Sequence, residues 1–192
     1  MWNRRSVLAG IGTIMAARPA FAASSFQPLF DGESLDGWTA MGDANWAVKD
    51  GAIQADKGRI GLLVSKDSYR DFELRAEFWV SEDANSGIFL RCSDRANVNA
   101  DTAYEVNIFD RRPDPSYGTG AIVGVGKVSP MPKAGGRWNV MTIAARGDMF
   151  DVTLNGLGTV DGARDSKHAA GPIALQYGSG LVKFRRVDIR SL

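Results

Sequence analysis

From Trp46 onward, short runs rich in β-branched and aromatic residues alternate with Gly, Asp, Asn and Pro turns to the C-terminus, and no window sustains a helical period. That pattern predicts an all-β chain. The candidate strands are WAVKDGAIQA, GLLVS, DFELRAEFWV, SGIFLRCS, AYEVNIFD, GAIVGV, WNVMTIAARG, MFDVTLNG, PIALQYG and LVKFRRVDI. Asp50-Gly51 and Asn155-Gly156 are hairpin dipeptides, because both residues of a tight hairpin turn need positive φ. So many closely spaced strands favour two packed antiparallel sheets over one open sheet. The irregular stretches Asp94 to Thr102 and Arg111 to Thr119 are expected at a rim.

The first 22 residues stand apart from this pattern. Arg4-Arg5 precede an apolar stretch, Val7 to Ala17, that ends at the small-residue site Ala20-Phe21-Ala22. This is expected to be an export signal of the twin-arginine type, too short for a permanent membrane anchor, directing the protein to the periplasm or outside the cell. The domain reading is therefore a leader over 1–22 and a single domain over 23–192. The leader holds three of the 23 basic residues and none of the 22 acidic ones, which leaves a net charge of −2. No basic run is interleaved with aromatics, so nucleic acid is not an expected partner.

Cys92 is the only cysteine, so no internal disulfide forms, and it reads as a small buried hydrophobe. His168 is the only histidine, which excludes a histidine-cluster metal site, and it reads as a solvated loop residue. Asp83, Asn85 and Ser86 offer oxygen ligands of the kind calcium takes, yet they complete no recognisable loop, and no metal is expected. No Gly-rich phosphate loop opens a helix, so no redox cofactor is expected either.

Strand alternation sorts the polar residues. In AYEVNIFD, Tyr104, Val106 and Ile108 form an apolar face, while Glu105, Asn107 and Phe109 face the other way. In DFELRAEFWV, Glu73, Arg75, Glu77 and Trp79 oppose an apolar face, and in SGIFLRC, Phe89 and Arg91 oppose Ile88 and Leu90. If these three strands pair in sequence order, Glu77, Arg91, Glu105 and Asn107 share a face with Trp79, Phe89 and Phe109. Such a face offers charges for hydroxyl groups and flat rings for the C–H faces of a sugar. An outer face laced with Glu–Arg cross-strand pairs accounts for the same residues.

The segments FQPLFDGESLDGW, WAVKDGAI, YRDFELRAEF, NSGIFLR, YEVNIFD, TGAIVG, RWNVMTI, LNG and GPIALQYGSGLVKFRRVDI resemble, in order, the 3-keto-disaccharide hydrolase family across Phe26 to Leu192. The resemblance implies a concanavalin-like jelly-roll β-sandwich, an exported bacterial protein and a sugar held on the concave sheet. It implies cleavage of glycosides already oxidised at C3, with a separate C3-oxidising dehydrogenase upstream. A ketone at C3 acidifies the C2 proton, so a carboxylate can remove it while a cation stabilises the enolate. Elimination at C1 follows, and water addition completes a net hydrolysis.

For that chemistry Glu105 is the candidate base and Arg91 the enolate stabiliser or substrate clamp. Glu77 holds Arg91 or protonates the leaving group, and Asp110 is a second acid, a metal ligand or a strand-end turn cap. Asn107 orients hydroxyls, where the resemblance often has Gln. Gln176 and Tyr177 are further substrate-binding candidates, Tyr177 standing near the place where many relatives have histidine. A non-catalytic carbohydrate-binding domain on the same fold is the alternative.

Overall fold

The computed structural model describes residues 24–192, so the expected leader and its Ala22 cleavage site lie outside the described residues. The strands in chain order are β1 (Gln27–Pro28), β2 (Trp38–Gly42), β3 (Ala47–Lys49), β4 (Ala52–Ala55), β5 (Gly61–Ser65), β6 (Phe72–Val80) and β7 (Asn85–Leu90). Then come β8 (Tyr104–Ile108), a 3₁₀ turn over Pro115–Tyr117, β9 (Trp138–Arg146), β10 (Met149–Leu154), β11 (Leu157–Arg164), β12 (Ala174–Ser179) and β13 (Val182–Ser191). They build two antiparallel sheets. One runs β11-β10-β9-β6-β13-β4-β3 with β1 added on β13; the other, of five strands, runs β2-β5-β12-β7-β8. No helix among the described residues is long and apolar enough to cross a membrane.

The inward faces follow from alternation. Phe72, Leu74, Ala76 and Phe78 of β6 meet Ile88, Leu90, Tyr104, Val106, Ile108 and Leu175 of the smaller sheet in one apolar core. Phe72, Phe78, Phe150 and Phe184 are fully buried there, and truncating any of them to alanine costs about 3–5 kcal/mol. Asp50-Gly51 and Asn155-Gly156 take the positive φ pairs, 51° and 71°, 52° and 80°, that a two-residue hairpin needs.

Two expectations about strands fail. GAIVGV is no strand; Ile122 makes single bridges to Val106 and Gly126, and the stretch lies along the outer edge of β8. There Asn107 N–H donates to Ala121 O, Gly120 N–H to Asn107 O and Val123 N–H to Glu105 O, each at 2.9 Å. Conversely, LGTVDGAR forms β11 although Gly158, Asp161 and Gly162 spoil its apolar alternation, because the Asn155-Gly156 turn lays it against β10.

The larger correction concerns pairing. β6 does not pair with β7: it lies between β9 and β13 in the larger sheet, and the chain crosses to the smaller sheet through Ser81 to Ala84 before β7 begins. Only β7 and β8 pair as expected, with Phe89 opposite Glu105 and Gly87 opposite Asn107. Alternation fixes which side chains of a strand point inward, but it carries no information on which edge the strand finds.

Arg91 departs from alternation as well. Its φ of +51° turns the chain just past β7 and sends the side chain between the sheets instead of outward, where it is 1% exposed. Its guanidinium donates to the carbonyls of Arg70 (2.7 Å), Gly147 (2.6 Å) and His168 (3.4 Å) and to Asp71 Oδ1 (3.2 Å), and lies 5.1 Å from the Phe150 ring centroid. His168 is also buried, not solvated: its backbone N–H donates to the Tyr104 hydroxyl at 2.9 Å and its ring packs edge-on against Tyr104. Burial presses the His168 pKa below its ordinary value. Arg91→Ala would empty the space its buried side chain fills and remove the bonds that tie these three segments together, and a loss of about 2–5 kcal/mol is expected. Urea unfolding checks it, and an unchanged midpoint would contradict this role.

Candidate functional site on the smaller sheet

The outward face of the smaller sheet follows from strand register. Thr39, Val64, Ala174, Phe89 and Glu105 form one row across the five strands, and Met41, Leu62, Gln176, Gly87 and Asn107 form the next. A third row, broken by a bulge in β12 that pairs Asn85 with Ser179 instead of Gly178, holds Gly178 and Asn85, with Ile60 and Phe109 just beyond the ends of β5 and β8. At the first row the loop after Arg91 folds back over the face. Val98, Cys92 and Ala103 join Leu62, Val64, Phe89, Ala174 and Met41 in a second apolar cluster, apart from the main core. Arg95 pins that loop by donating to Ser65 O (2.9 Å) and Lys66 O (2.8 Å). Burial pushes the Cys92 thiol up to about 12, which keeps it protonated.

Next to this cluster lies a polar group built on a glycine floor. Gly87 has no positive φ, so its backbone does not require glycine, but a side chain there would crowd its neighbours. A Cβ there would come within 3.3 Å of Glu105 Cγ and Oε1, which lie across it. Glu105 is 9% exposed. Burial raises its pKa, and the positive charge of Arg112, in the loop after β8, opposes the rise. On the flanking strands, Asn107 Oδ1 and Gln176 Oε1 are buried with no hydrogen-bond partner. Asn107 Nδ2 donates to Tyr117 O at 2.7 Å, so the 3₁₀ turn fixes that amide with its oxygen unspent. A carboxyl group and two orphaned amide oxygens thus converge on Gly87. Acceptors of this kind need donors from water or from a ligand, and Asn107, wholly buried, is the less accessible of the two amides.

Of the residues singled out in the sequence, Glu105, Asn107, Phe89 and Gln176 come together here, and Phe109 follows at the end of β8. The others lie elsewhere. Glu77 is on the outer face of the larger sheet, where it accepts from Arg185 Nε at 2.8 Å, and Trp79 on that face lies under Lys183, 5.8 Å away. Arg91 is sealed between the sheets. The Asp110 carboxylate accepts from Thr119 Oγ1 (2.6 Å) and from the backbone N–H groups of Ala134 and Gly135 (3.0 Å each), which spends it on tying two loops together. Tyr177 points into the core, edge-on to Trp46, because it alternates with Gln176. Asp83 accepts from Ser81 Oγ at 2.6 Å, and no group of three or more His, Cys, Asp or Glu among the described residues suits a metal ion.

Sequence reasoning passed over Gly87 and Arg112, and weighed Asn85 only as an oxygen ligand for calcium. A glycine inside a run that reads as a buried strand was the available signal for Gly87. Arg112 carried none, since a charged loop residue is ordinary.

A model of the 3-keto-alpha-glucoside-1,2-lyase-like domain matches residues 25–190. The chain belongs to that family. A 3-keto-disaccharide hydrolase of Bacteroides thetaiotaomicron is 30% identical over 41% of this chain and 31% of its own length, so the match spans about a third of that relative. A crystal structure from Parabacteroides distasonis, assigned provisionally to the glycosyl hydrolases, superposes with a TM-score of 0.69 at 26% identity, covering 88% of this chain and all of that one. The carbohydrate-binding module CBM66 of Bacillus subtilis superposes at 0.62 with 20% identity, over 81% of this chain and 96% of its own, a likeness of fold. The sandwich is thus the jelly-roll type that the resemblance implied.

The unpaired carboxyl has a thermodynamic consequence. Burial lifts the folded-state pKa of Glu105 above the ordinary 4.5, so the folded protein holds that proton more tightly than the unfolded chain. Its contribution to stability is present below 4.5 and is lost as pH rises through the raised value. Glu105→Gln removes this dependence. The stability difference is expected to move in the variant's favour as pH rises from acid to neutral, read from urea midpoints; a difference that does not change with pH would refute it.

Proposed function

We propose that this protein cleaves 3-keto-glycosides by elimination at C2–C1 followed by water addition, with Glu105 as the base. The observation that carries the proposal is the buried Glu105 carboxyl on the outward face of the smaller sheet, its pKa raised by burial, beside two amide oxygens without partners. A raised pKa makes the carboxylate a better acceptor for a C2 proton acidified by the neighbouring ketone. Arg112, whose charge Glu105 feels, takes the enolate-stabilising role first assigned to Arg91. Gln176, the more exposed of the two amides, accepts hydroxyl hydrogens of the ring, and the wholly buried Asn107 holds the 3₁₀ turn against that face.

The proton path follows from what shares the face. With Asp110 tied to two loops and Glu77 on the other sheet, Glu105 is the one carboxyl among the strand residues of this face. The proton it takes from C2 is therefore the one returned to the departing C1 oxygen as the C1–O bond breaks and C1=C2 forms, a syn elimination. Water then adds at C1, and a proton goes back to C2. The protein acts after export, on a substrate oxidised at C3 by a separate dehydrogenase, and uses no redox cofactor or metal of its own.

A sugar-binding domain without catalysis is the rival reading, favoured by the absence of histidine beside Gln176 and by the fold shared with a carbohydrate-binding module. Glu105→Gln separates the two. Turnover of a 3-keto-disaccharide is expected to fall by about 10²–10⁴-fold, the usual span for a lost acid–base group, with KM changed little. Near wild-type turnover in the variant would remove Glu105 as the base, and a wild-type protein that binds the sugar without releasing product would leave the binding reading.

A further inference from the structure

The face that carries Glu105 is closed at one end and open at the other. Beyond the Thr39–Glu105 row, the loop pinned by Arg95 and the apolar cluster around Phe89, Cys92 and Val98 form a wall. In the opposite direction nothing comparable covers the third row among the described residues. Ile60 there is 64% exposed, the highest value among the large hydrophobic residues, and Asn85 is half-buried. At the same end of the sheet, Gly42, Asp43, Arg59 and Ile60 bound a shallow depression of about 520 Å³.

The third row repeats the arrangement around Gly87. Gly178 sits at a bulge in β12, and a Cβ there would come within 3.0 Å of the Asn85 amide, which lies across it as Glu105 lies across Gly87. Successive rows on one face of a strand are about 6.5–7 Å apart, close to the length of one pyranose unit. A second ring placed one row beyond Gly87 therefore rests over Gly178, with Asn85 for its hydroxyls and Ile60 for its C–H face.

We propose that Gly178, Asn85 and Ile60 form a leaving-group subsite, and that the protein acts only on a terminal sugar, with the oxidised ring against the wall and the rest of the glycoside extending past Asn85. The proposal rests on Glu105 marking the reacting ring. An internal ring of a longer chain would need an exit on both sides, and the wall removes one of them.

The test compares a 3-keto-disaccharide with methyl 3-keto-glucoside, which has no second ring, on wild type, Asn85→Ala and Ile60→Ser. Ile60 is exposed, so its substitution leaves folding intact. Each variant is expected to lose about five- to tenfold in kcat/KM on the disaccharide, the worth of one hydrogen bond or a modest apolar contact, and less than about twofold on the methyl glycoside. Equal losses on both substrates, or none on either, would overturn the subsite. Should the wild type turn over neither substrate, the catalytic reading falls, and calorimetric titration of the same two sugars decides the subsite: disaccharide affinity alone weakened in both variants supports it, and affinities unaltered or weakened equally refute it.

Discussion

Arg91 places a permanent positive charge between two sheets whose interior is otherwise almost wholly apolar, and much of the molecule is arranged around that fact. The guanidinium is matched by three backbone carbonyls and one carboxylate, drawn from the turn before β6, the β9–β10 hairpin and the segment before β12. An isolated charge in such a place would cost far more than any core contact returns. The same left-handed turn that inserts the guanidinium also sends the chain out of β7 toward the loop of Asp94 to Thr102. One backbone conformation therefore fastens the end of the sandwich and directs the loop that walls the site.

On the opposite side of the smaller sheet the logic reverses. The Glu105 carboxyl and the amide oxygens of Asn107 and Gln176 are held in places where their hydrogen-bonding capacity is not fully spent within the described protein. Inside a fold such groups are destabilising. Their cost is tolerable on a face where a polyhydroxylated ring can supply donors, and in the proposed reaction the carboxyl whose pKa burial raises is the base. The glycine floor makes this possible, because only residues without a side chain let Glu105 and Asn85 lie flat and leave height above them.

The all-β class, both hairpin turns, the inward faces of β6, β7 and β8 and the outward placement of Glu105 and Asn107 were legible in the sequence because each depends on period-two alternation or local turn chemistry. The pairing of β6 was not. Its outward face of Glu73, Arg75, Glu77 and Trp79 was read correctly, but nothing local says that the chain changes sheets at Ser81 to Ala84, so Glu77 and Trp79 were assigned to the wrong sheet. Arg91 was lost to a single positive φ, which alternation does not anticipate in a non-glycine residue. Tyr177 was misplaced for a different reason: proximity in sequence to Gln176 was taken for proximity in space, whereas adjacent residues of a strand point to opposite faces.

β8, which carries Glu105 and Asn107, is the last strand of its sheet, yet its outer backbone groups are met by Gly120, Ala121 and Val123. A bare edge is a template on which another chain can add, and edge-to-edge addition is a common beginning of aggregation. Here the template is already used. The strand that carries Glu105 and Asn107 is thereby denied to foreign chains along its backbone, so any ligand must approach the pair across the sheet face, and protection from association and access to Glu105 do not compete for the same surface.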